Sequence, residues 1–407
     1  MPMTSREFAI EVVKTLQASG HEALWAGGCV RDQLLGRTPK DYDVATSALP
    51  DQVREVFGKK RTLPIGASFG VITVLGPKSA DPIEVATFRR DGGYSDGRRP
   101  DAVEYTDARE DALRRDFTIN GMFFDPINEN VIDYVGGEED LAAKQVRAIG
   151  NPHERIEEDK LRMLRGVRFA STFDFLLEPM TLAAIQKHAS EIGAVSGERI
   201  GAELRRMLAS PNRTVAMKLL RESMLLENIL PSSQSAFADE DSWNAMINCL
   251  SILNESDFAT AAAVMLESVV SQNGVEDVVA RWKLSNEDKR TIGWICRNWK
   301  TIAKADKRLW SEVQPLFLSA DFRNGLIATE ALSGGITEGI TFCRDRLEWS
   351  EEKLNPKPFL NGSDLKAAGI EPGPKFKRIL DAVRSGQLDG EIENVEQAWA
   401  KVGEFSG

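Results

Sequence analysis

Leu24-Trp-Ala-Gly-Gly-Cys-Val-Arg-Asp-Gln-Leu-Leu-Gly-Arg-Thr-Pro-Lys-Asp-Tyr-Asp-Val-Ala-Thr46 sets a glycine pair between an apolar run and a helix start, then brings two aspartates one residue apart. Residues 42–46 read as a strand, and positions i and i+2 of a strand share a face, so Asp41 and Asp43 can aim at one point. Oxygen ligands suit Mg²⁺, which takes one or two carboxylates and completes its octahedron with waters and substrate phosphates. Both aspartates are therefore candidate metal ligands and catalytic groups. An isolated Asp-x-Asp on a strand edge is ordinarily solvated surface, and it is the surroundings that give this pair weight. Upstream, Ala23 to Ala26 is predicted as a short strand, Gly27-Gly28 as a turn and Val30 to Leu35 as the start of a helix. Such a series lets backbone N–H groups approach a phosphate chain closely, although a plain tight turn is the other use of a glycine pair. Arg31 adds a cation beside the phosphates, and Asp32 is read as orienting Arg31 or capping the turn.

A third carboxylate stands on Ile83-Glu-Val-Ala-Thr-Phe88, where Ile83, Val85 and Thr87 alternate with Glu84 and Ala86. Glu84 is either an edge residue facing water or an acid held for chemistry. Three acids fit a centre with two metals roughly 3.5–4 Å apart, one activating an attacking hydroxyl and the other gripping a departing pyrophosphate. Farther on, residues 156–170 carry a helical period, with Leu161, Leu164 and Val167 as a buried stripe and Glu158, Arg162 and Arg165 on another face. On one helix Asp159 and Arg162, three apart, project together as an acceptor beside a forked donor. Such a pair can read a base: the carboxylate accepts from the exocyclic amine of cytosine or adenine, and the guanidinium donates to the ring nitrogen or carbonyl beside it. Uracil and guanine present the opposite polarity there. An i,i+3 salt bridge on a solvated helix is the plainer use of the same two residues.

Three segments in order, Gly27-Gly-Cys-Val-Arg-Asp with Asp41-Tyr-Asp, Arg114-Arg-Asp-Phe-Thr-Ile-Asn-Gly121, and Glu158-Asp-Lys-Leu-Arg-Met-Leu-Arg-Gly-Val-Arg-Phe169, resemble the class II tRNA nucleotidyltransferase and bacterial poly(A) polymerase family of the polymerase-β superfamily. The resemblance spans residues 20 to about 210. It implies an α+β fold: a small nucleotidyltransferase head with a mixed sheet and helices, then an elongated all-α neck, body and tail. It also implies Mg²⁺, CTP and ATP as substrates, and template-independent addition of CCA to the 3′ end of tRNA with release of pyrophosphate. Poly(A) synthesis, or CC-only or A-only addition, are the alternatives. By the same resemblance Gly27, Gly28, Arg31 and Arg114 face phosphate, Asp116 and Asn120 serve the sugar or position Arg114, and Arg165 and Arg168 reach the triphosphate or incoming nucleotide. Asp133 to Leu141 resembles the hinge between head and neck, although a plain loop explains its glycines equally well.

Arg89 to Pro100, with three glycines and mixed charge, reads as a mobile loop. In the family such a loop resembles the lever needed for the last adenosine, so its presence favours full CCA addition. Poly(A) polymerases of the family usually carry a basic element before the strand at Val71 to Val74; here Ile65-Gly-Ala-Ser-Phe69 occupies that place, which favours tRNA repair.

A chain of 407 residues can bury substantial cores without disulfides. Its four cysteines lack C-x-x-C spacing and point to a reduced, cytoplasmic setting, and its three histidines suggest no ligand cluster. Thr4 to Ala18 reads as a polar-faced helix rather than a signal peptide, and no apolar run approaches membrane-spanning length. The net charge of −11 argues against a nucleic-acid partner until its distribution is considered. Residues 198–218, predicted as one helix, hold five cations against two acids, whereas 235–290 hold ten acids against four cations. A basic stripe on an acidic body can bind one RNA shape and repel polyanions elsewhere. The expected division is a catalytic head (1–150), a helical neck for base recognition (151–212), a helical body (213–350) and a tail (351–407). Gly362 to Pro374 with Phe376 to Val383 resembles the family's tail, where Lys375, Lys377, Arg378 and Arg384 could grip the tRNA elbow by its phosphates. No protein partner is implied.

Overall fold

The computed structural model describes residues 2–92, 102–254, 256–268 and 272–405. They form two compact units: residues 1–207 with 215–231, and residues 208–214 with 232–407.

The first unit opens with α1 (Ser5–Ala18), started by a capping box in which Thr4 and Glu7 satisfy each other's backbone N–H. Its Phe8, Val12, Val13 and Leu16 are fully buried. The chain continues through β1 (Ala23–Ala26), α2 (Gly28–Leu34), β2 (Asp43–Thr46), α3 (Pro50–Phe57), β3 (Thr62–Leu63), β4 (Val71–Val74) and β5 (Ile83–Thr87). After β6 (Arg89–Asp91) and β7 (Val103–Tyr105) come α4 (Ala108–Leu113), β8 (Phe123–Asp125) and β9 (Asn130–Ile132).

Seven strands make one mixed sheet in the order β3-β4-β5-β2-β1-β8-β9. Only β2 and β5 run parallel, with Asp43 in register with Glu84. The short apolar strands at the centre need both faces covered. Trp25, fully buried, packs at 4.8 Å from Tyr42 and 5.7 Å from Phe124. A cluster of Leu24, Ala26, Ala45, Phe88 and Phe123 with Ala108 and Ala112 of α4 forms another part of the head's core. Burying one such aromatic ring contributes roughly 1.5–3 kcal/mol, so this central layer fixes the strand ends that carry the acids.

Helices dominate after the sheet: α5 (Gly137–Ala142), α6 (Pro152–Glu158), α7 (Arg162–Phe173), α8 (Pro179–His188), α9 (Gly197–Leu208) and α10 (Arg213–Glu222). This matches the α+β head followed by a helical remainder. Two helices expected to be continuous are not. The helix over 156–170 breaks at Asp159, which takes an extended conformation (φ −148°, ψ 106°) between α6 and α7. Its carboxylate instead accepts the Leu161 N–H, a local bond that competes with helical pairing. The basic helix over 198–218 is two helices, α9 and α10, with Pro211 in the gap. Its stripe is also largely engaged: Arg199 pairs with Asp159, Arg206 with Glu203, and Arg213 is buried against the Leu208 and Leu253 carbonyls. The segment expected as a mobile loop begins as β6, paired antiparallel with β7; its residues 93–100 lie outside the described residues.

The second unit is helical, from Ser232–Ala236 to Val395–Gly403. One core gathers Ile302, Val313, Phe322, Leu326 and Ile340, with Trp294 packed against it. Another gathers Leu360, Leu365, Ile379, Val383 and Val402. Arg384, expected to serve RNA, is spent inside the fold: its guanidinium donates to the Pro356 carbonyl at 2.7 Å and to Asn355 at 2.7 Å. Among the described residues no helix is long and apolar enough to cross a membrane, and the four cysteines are free.

Candidate active site

Tyr42 is buried under Trp25, and the alternation of the chain around it turns Asp41 and Asp43 outward, where both are exposed. The parallel ladder sets Glu84 beside Asp43. The Asp43 carboxyl is pushed up to about 6, first by the protein packed around it and then by the negative charges of Asp41 and Glu84, against a smaller opposing pull from Arg115. The three acids thus feel one another. Among the described residues no three acidic, histidine or cysteine side chains form a ready-made metal cage. The fit is the open one, in which two carboxylates share a divalent ion with substrate oxygens and water.

Asp41 and Asp43 line a cleft of about 530 Å³. Gly27, Gly28, Arg31, Arg114, Asp116, Asn120, Asp159, Arg162 and Arg165 line it too. Glu84 and Arg168 are not among its lining residues. Gly27 has φ +71°, a conformation that favours glycine, and a Cβ there would stand 3.0 Å from the Arg115 guanidinium, which would have to shift.

Each arginine of the cleft is held by a carboxylate. Arg31 donates to Asp32 at 2.7 and 2.9 Å and to the Asn120 side chain at 2.5 Å. Asp116 is paired with Arg165 at 2.6 Å and also accepts from Asn120, so it positions Arg165 rather than Arg114. Burial alone would raise the Asp116 carboxyl, but the Arg165 charge and these hydrogen bonds outweigh it and hold it below the usual range. Arg114 is fixed by Asp111 and by the Arg89 carbonyl. Arg168 pairs with the buried Glu203 of α9 and lies 3.9 Å over the Phe169 ring.

Asp159 and Arg162 face the same cleft from either side of the break before α7. Both Asp159 oxygens accept from Arg199, at 2.6 and 3.0 Å. Arg162 is held by Glu158 at 2.5 Å and by the Arg155 and Arg114 carbonyls at 2.9 and 3.2 Å. The base-reading candidates are therefore oriented by a second set of charges. We expect Arg199→Ala to lower kcat/KM for nucleotide addition roughly tenfold or more, because charge-assisted bonds of this kind contribute about 1.5–3 kcal/mol. Steady-state addition by that variant, with its thermal midpoint measured in parallel, checks this.

Residues that sequence reasoning left out also belong here. Arg115, Asp91 and Phe169 line the cleft, and Asp111, Arg199 and Glu203 support it. Asp111 and Arg115 had a signal, the i,i+4 spacing of an acid before a cation. Arg199 had none, lying forty residues from its partner in sequence.

Residues 23–147 match the model of the "Poly A polymerase head domain", and residues 174–237 match the "Probable RNA and SrmB- binding site of polymerase A". The CCA-adding enzyme of Enterococcus faecalis is 31% identical, over 96% of this chain and 93% of its own. The chain belongs to the class II CCA-adding enzyme and poly(A) polymerase family. It is, as a member of that family, a tRNA nucleotidyltransferase. The Bacillus stearothermophilus CCA-adding enzyme in complex with CTP is similar in structure, with a TM-score of 0.77 at 28% identity over 97% of this chain and 96% of that one. The Thermotoga maritima CCA-adding enzyme complexed with tRNA_CCA shares the fold, with a TM-score of 0.65 at 20% identity over 97% and 95%.

Proposed function

We propose that this chain adds CCA to the 3′ end of tRNA without a template, using CTP and ATP and releasing pyrophosphate. The observation that carries the reading is one cleft lined by the Asp41–Asp43 pair, by Arg31, Arg114 and Arg165 and by the Asp159–Arg162 pair. Asp41 and Asp43 would hold Mg²⁺, with Glu84 adding negative charge beside Asp43. A bound divalent ion supplies charge stabilisation for phosphoryl transfer and lowers the pKa of the attacking hydroxyl.

The protein's own part is positioning. Gly27 and Gly28 admit the triphosphate close to the backbone, while Arg31, Arg114 and Arg165 supply cations, each already oriented by an acid; Arg168, outside the cleft lining, instead ties α7 to Glu203 of α9. Asn120 and Asp116, which link Arg31 to Arg165, are the groups offered to the sugar. Asp159 accepts from the amine of cytosine or adenine, and Arg162 donates beside it.

We assign residues 1–150 to the catalytic head, 151–212 to the neck, 213–350 to the body and 351–407 to the tail. Lys375, Lys377 and Arg378, on the helix Pro374–Leu388, are the tail cations offered to the tRNA elbow. Four free cysteines support a cytoplasmic setting.

The test supplies tRNAs lacking the last three, two or one nucleotides, with CTP and ATP singly and together. Completion of every substrate to one CCA end supports the reading. Long adenylate tails, or arrest after two cytidines with both nucleotides present, would overturn it. A pH profile adds a second check. With the Asp43 carboxyl at about 6, the proton competes with the metal, so activity at limiting Mg²⁺ is expected to fall as pH drops through about 6. Raising Mg²⁺ should move that limb to lower pH, and a limb indifferent to Mg²⁺ would contradict the assignment.

A further inference from the structure

The carboxylate of Asp111 does not line the cleft, yet it accepts from two arginines that do, Arg114 and Arg115. It lies on α4 with 1% of its surface exposed. Its Oδ1 accepts from Arg114 Nε and Nη2 at 2.9 and 2.7 Å and from the Arg89 backbone N–H at 3.2 Å. Its Oδ2 accepts from Arg115 Nε and Nη2 at 3.2 and 2.8 Å. Burial would raise this carboxyl, but the Arg115 and Arg114 charges hold it below the usual range. It is therefore an anion with two guanidinium partners.

Both arginines have further contacts. Arg115 fills the space that a Gly27 side chain would need, donates to the Asn120 carbonyl at 3.3 Å and stands 5.0 Å over the Phe123 ring. It is also the cation that opposes the rise in Asp43. Arg114 is also held by the Arg89 carbonyl at 2.9 Å and lies 3.5 Å from Asp91, another residue of the cleft wall. A guanidinium whose Nε and Nη2 both donate to one oxygen of a buried carboxylate has little freedom left. Shifting the common anchor moves both.

We propose that Asp111 is a positioning residue for nucleotide transfer, the shared root that fixes the guanidiniums of Arg115 and Arg114, both of which line the cleft. The role rests on the nucleotidyl-transfer reading given above. Asp111→Asn keeps the size of the side chain but removes its charge and turns an NH₂ toward a guanidinium. A group needed only for packing tolerates that exchange; an anchor does not.

The experiment measures kcat and KM for CTP with the full-length protein and a tRNA lacking its last three nucleotides, in D111N, R115A and the double variant, with thermal midpoints. D111N is expected to lower kcat/KM about 100-fold, and to cost about tenfold once Arg115 is absent, because only the share of its effect that runs through Arg114 is then left. Asp111→Glu, which keeps the charge but displaces both guanidiniums by a methylene, is expected to give an intermediate loss, and it carries the test if D111N does not fold. Wild-type kcat/KM in a folded D111N or in D111E would overturn the role, as would losses that simply multiply in the double variant. D41N assayed alongside separates the two readings. An active D41N protein would overturn the metal-site mechanism, whereas an inactive D41N with unaffected Asp111 variants would overturn only the anchor.

Discussion

Asp41→Asn and Asp43→Asn are each expected to cut single-nucleotide incorporation by roughly 10³-fold or more while the protein stays folded. Asparagine matches aspartate in size and shape, so the exchange removes no packing even where protein crowds Asp43. What it removes is a charged oxygen that the proposed metal would need as a ligand. At Asp43 the cost of keeping that ligand is visible, because surrounding protein, Asp41 and Glu84 all disfavour its charge. An acid whose folded pKa lies above its unfolded value binds a proton more readily when folded. The stability it costs is therefore absent below about pH 4, grows as pH rises to about 6 and persists above. D43N should consequently melt at or above the wild-type midpoint at pH 7.5 without divalent ions, while losing activity, a trade of stability for function. Calorimetry beside the incorporation assay reads both. Wild-type turnover in either variant would contradict the ligand role.

The double variant Asp159→Ala/Arg162→Ala is expected to lose its preference for CTP and ATP over UTP and GTP. Its total incorporation should fall as well. A bidentate reading of one base edge discriminates by about 1–3 kcal/mol, or roughly 5- to 150-fold in selectivity. The structure makes this pair a rigid gauge: Arg199 engages both oxygens of Asp159, and Arg162 is held by Glu158 and two carbonyls. Rigid polar groups reject the wrong base because a mismatch leaves them unpaired. Single-nucleotide incorporation with each of the four triphosphates measures the ratio. Unchanged selectivity in the double variant would dismiss base reading by these residues.

The acids were legible in the sequence because strand alternation alone turns Asp41 and Asp43 to one side, and the apolar runs on either side mark the strands that carry them. The register that sets Glu84 against Asp43 is a pairing between strands forty residues apart, and no local pattern encodes it. The continuous helix over 156–170 was misread for a definable reason. The apolar period survives the break, but a side-chain bond from Asp159 to the Leu161 N–H replaces a helical one. The basic run after residue 198 was read as one helix and is two, and a charge count does not show which of its cations already have partners: Asp159 engages Arg199 and Glu203 engages Arg206. Arg384 shows the same limit, spent on the Pro356 carbonyl rather than on a ligand. Composition reports how many cations a segment has; tertiary structure decides which remain for phosphate.

The most direct measurement is a crystal grown with Mn²⁺ and CTP and read by anomalous scattering. A peak at about 2.1 Å from carboxylate oxygens of both Asp41 and Asp43, with the triphosphate beside it in the cleft, is the expected result. An Mn²⁺ ion bound elsewhere with those carboxylates free, or CTP bound outside the cleft, would contradict a metal-assisted transfer built on these two acids.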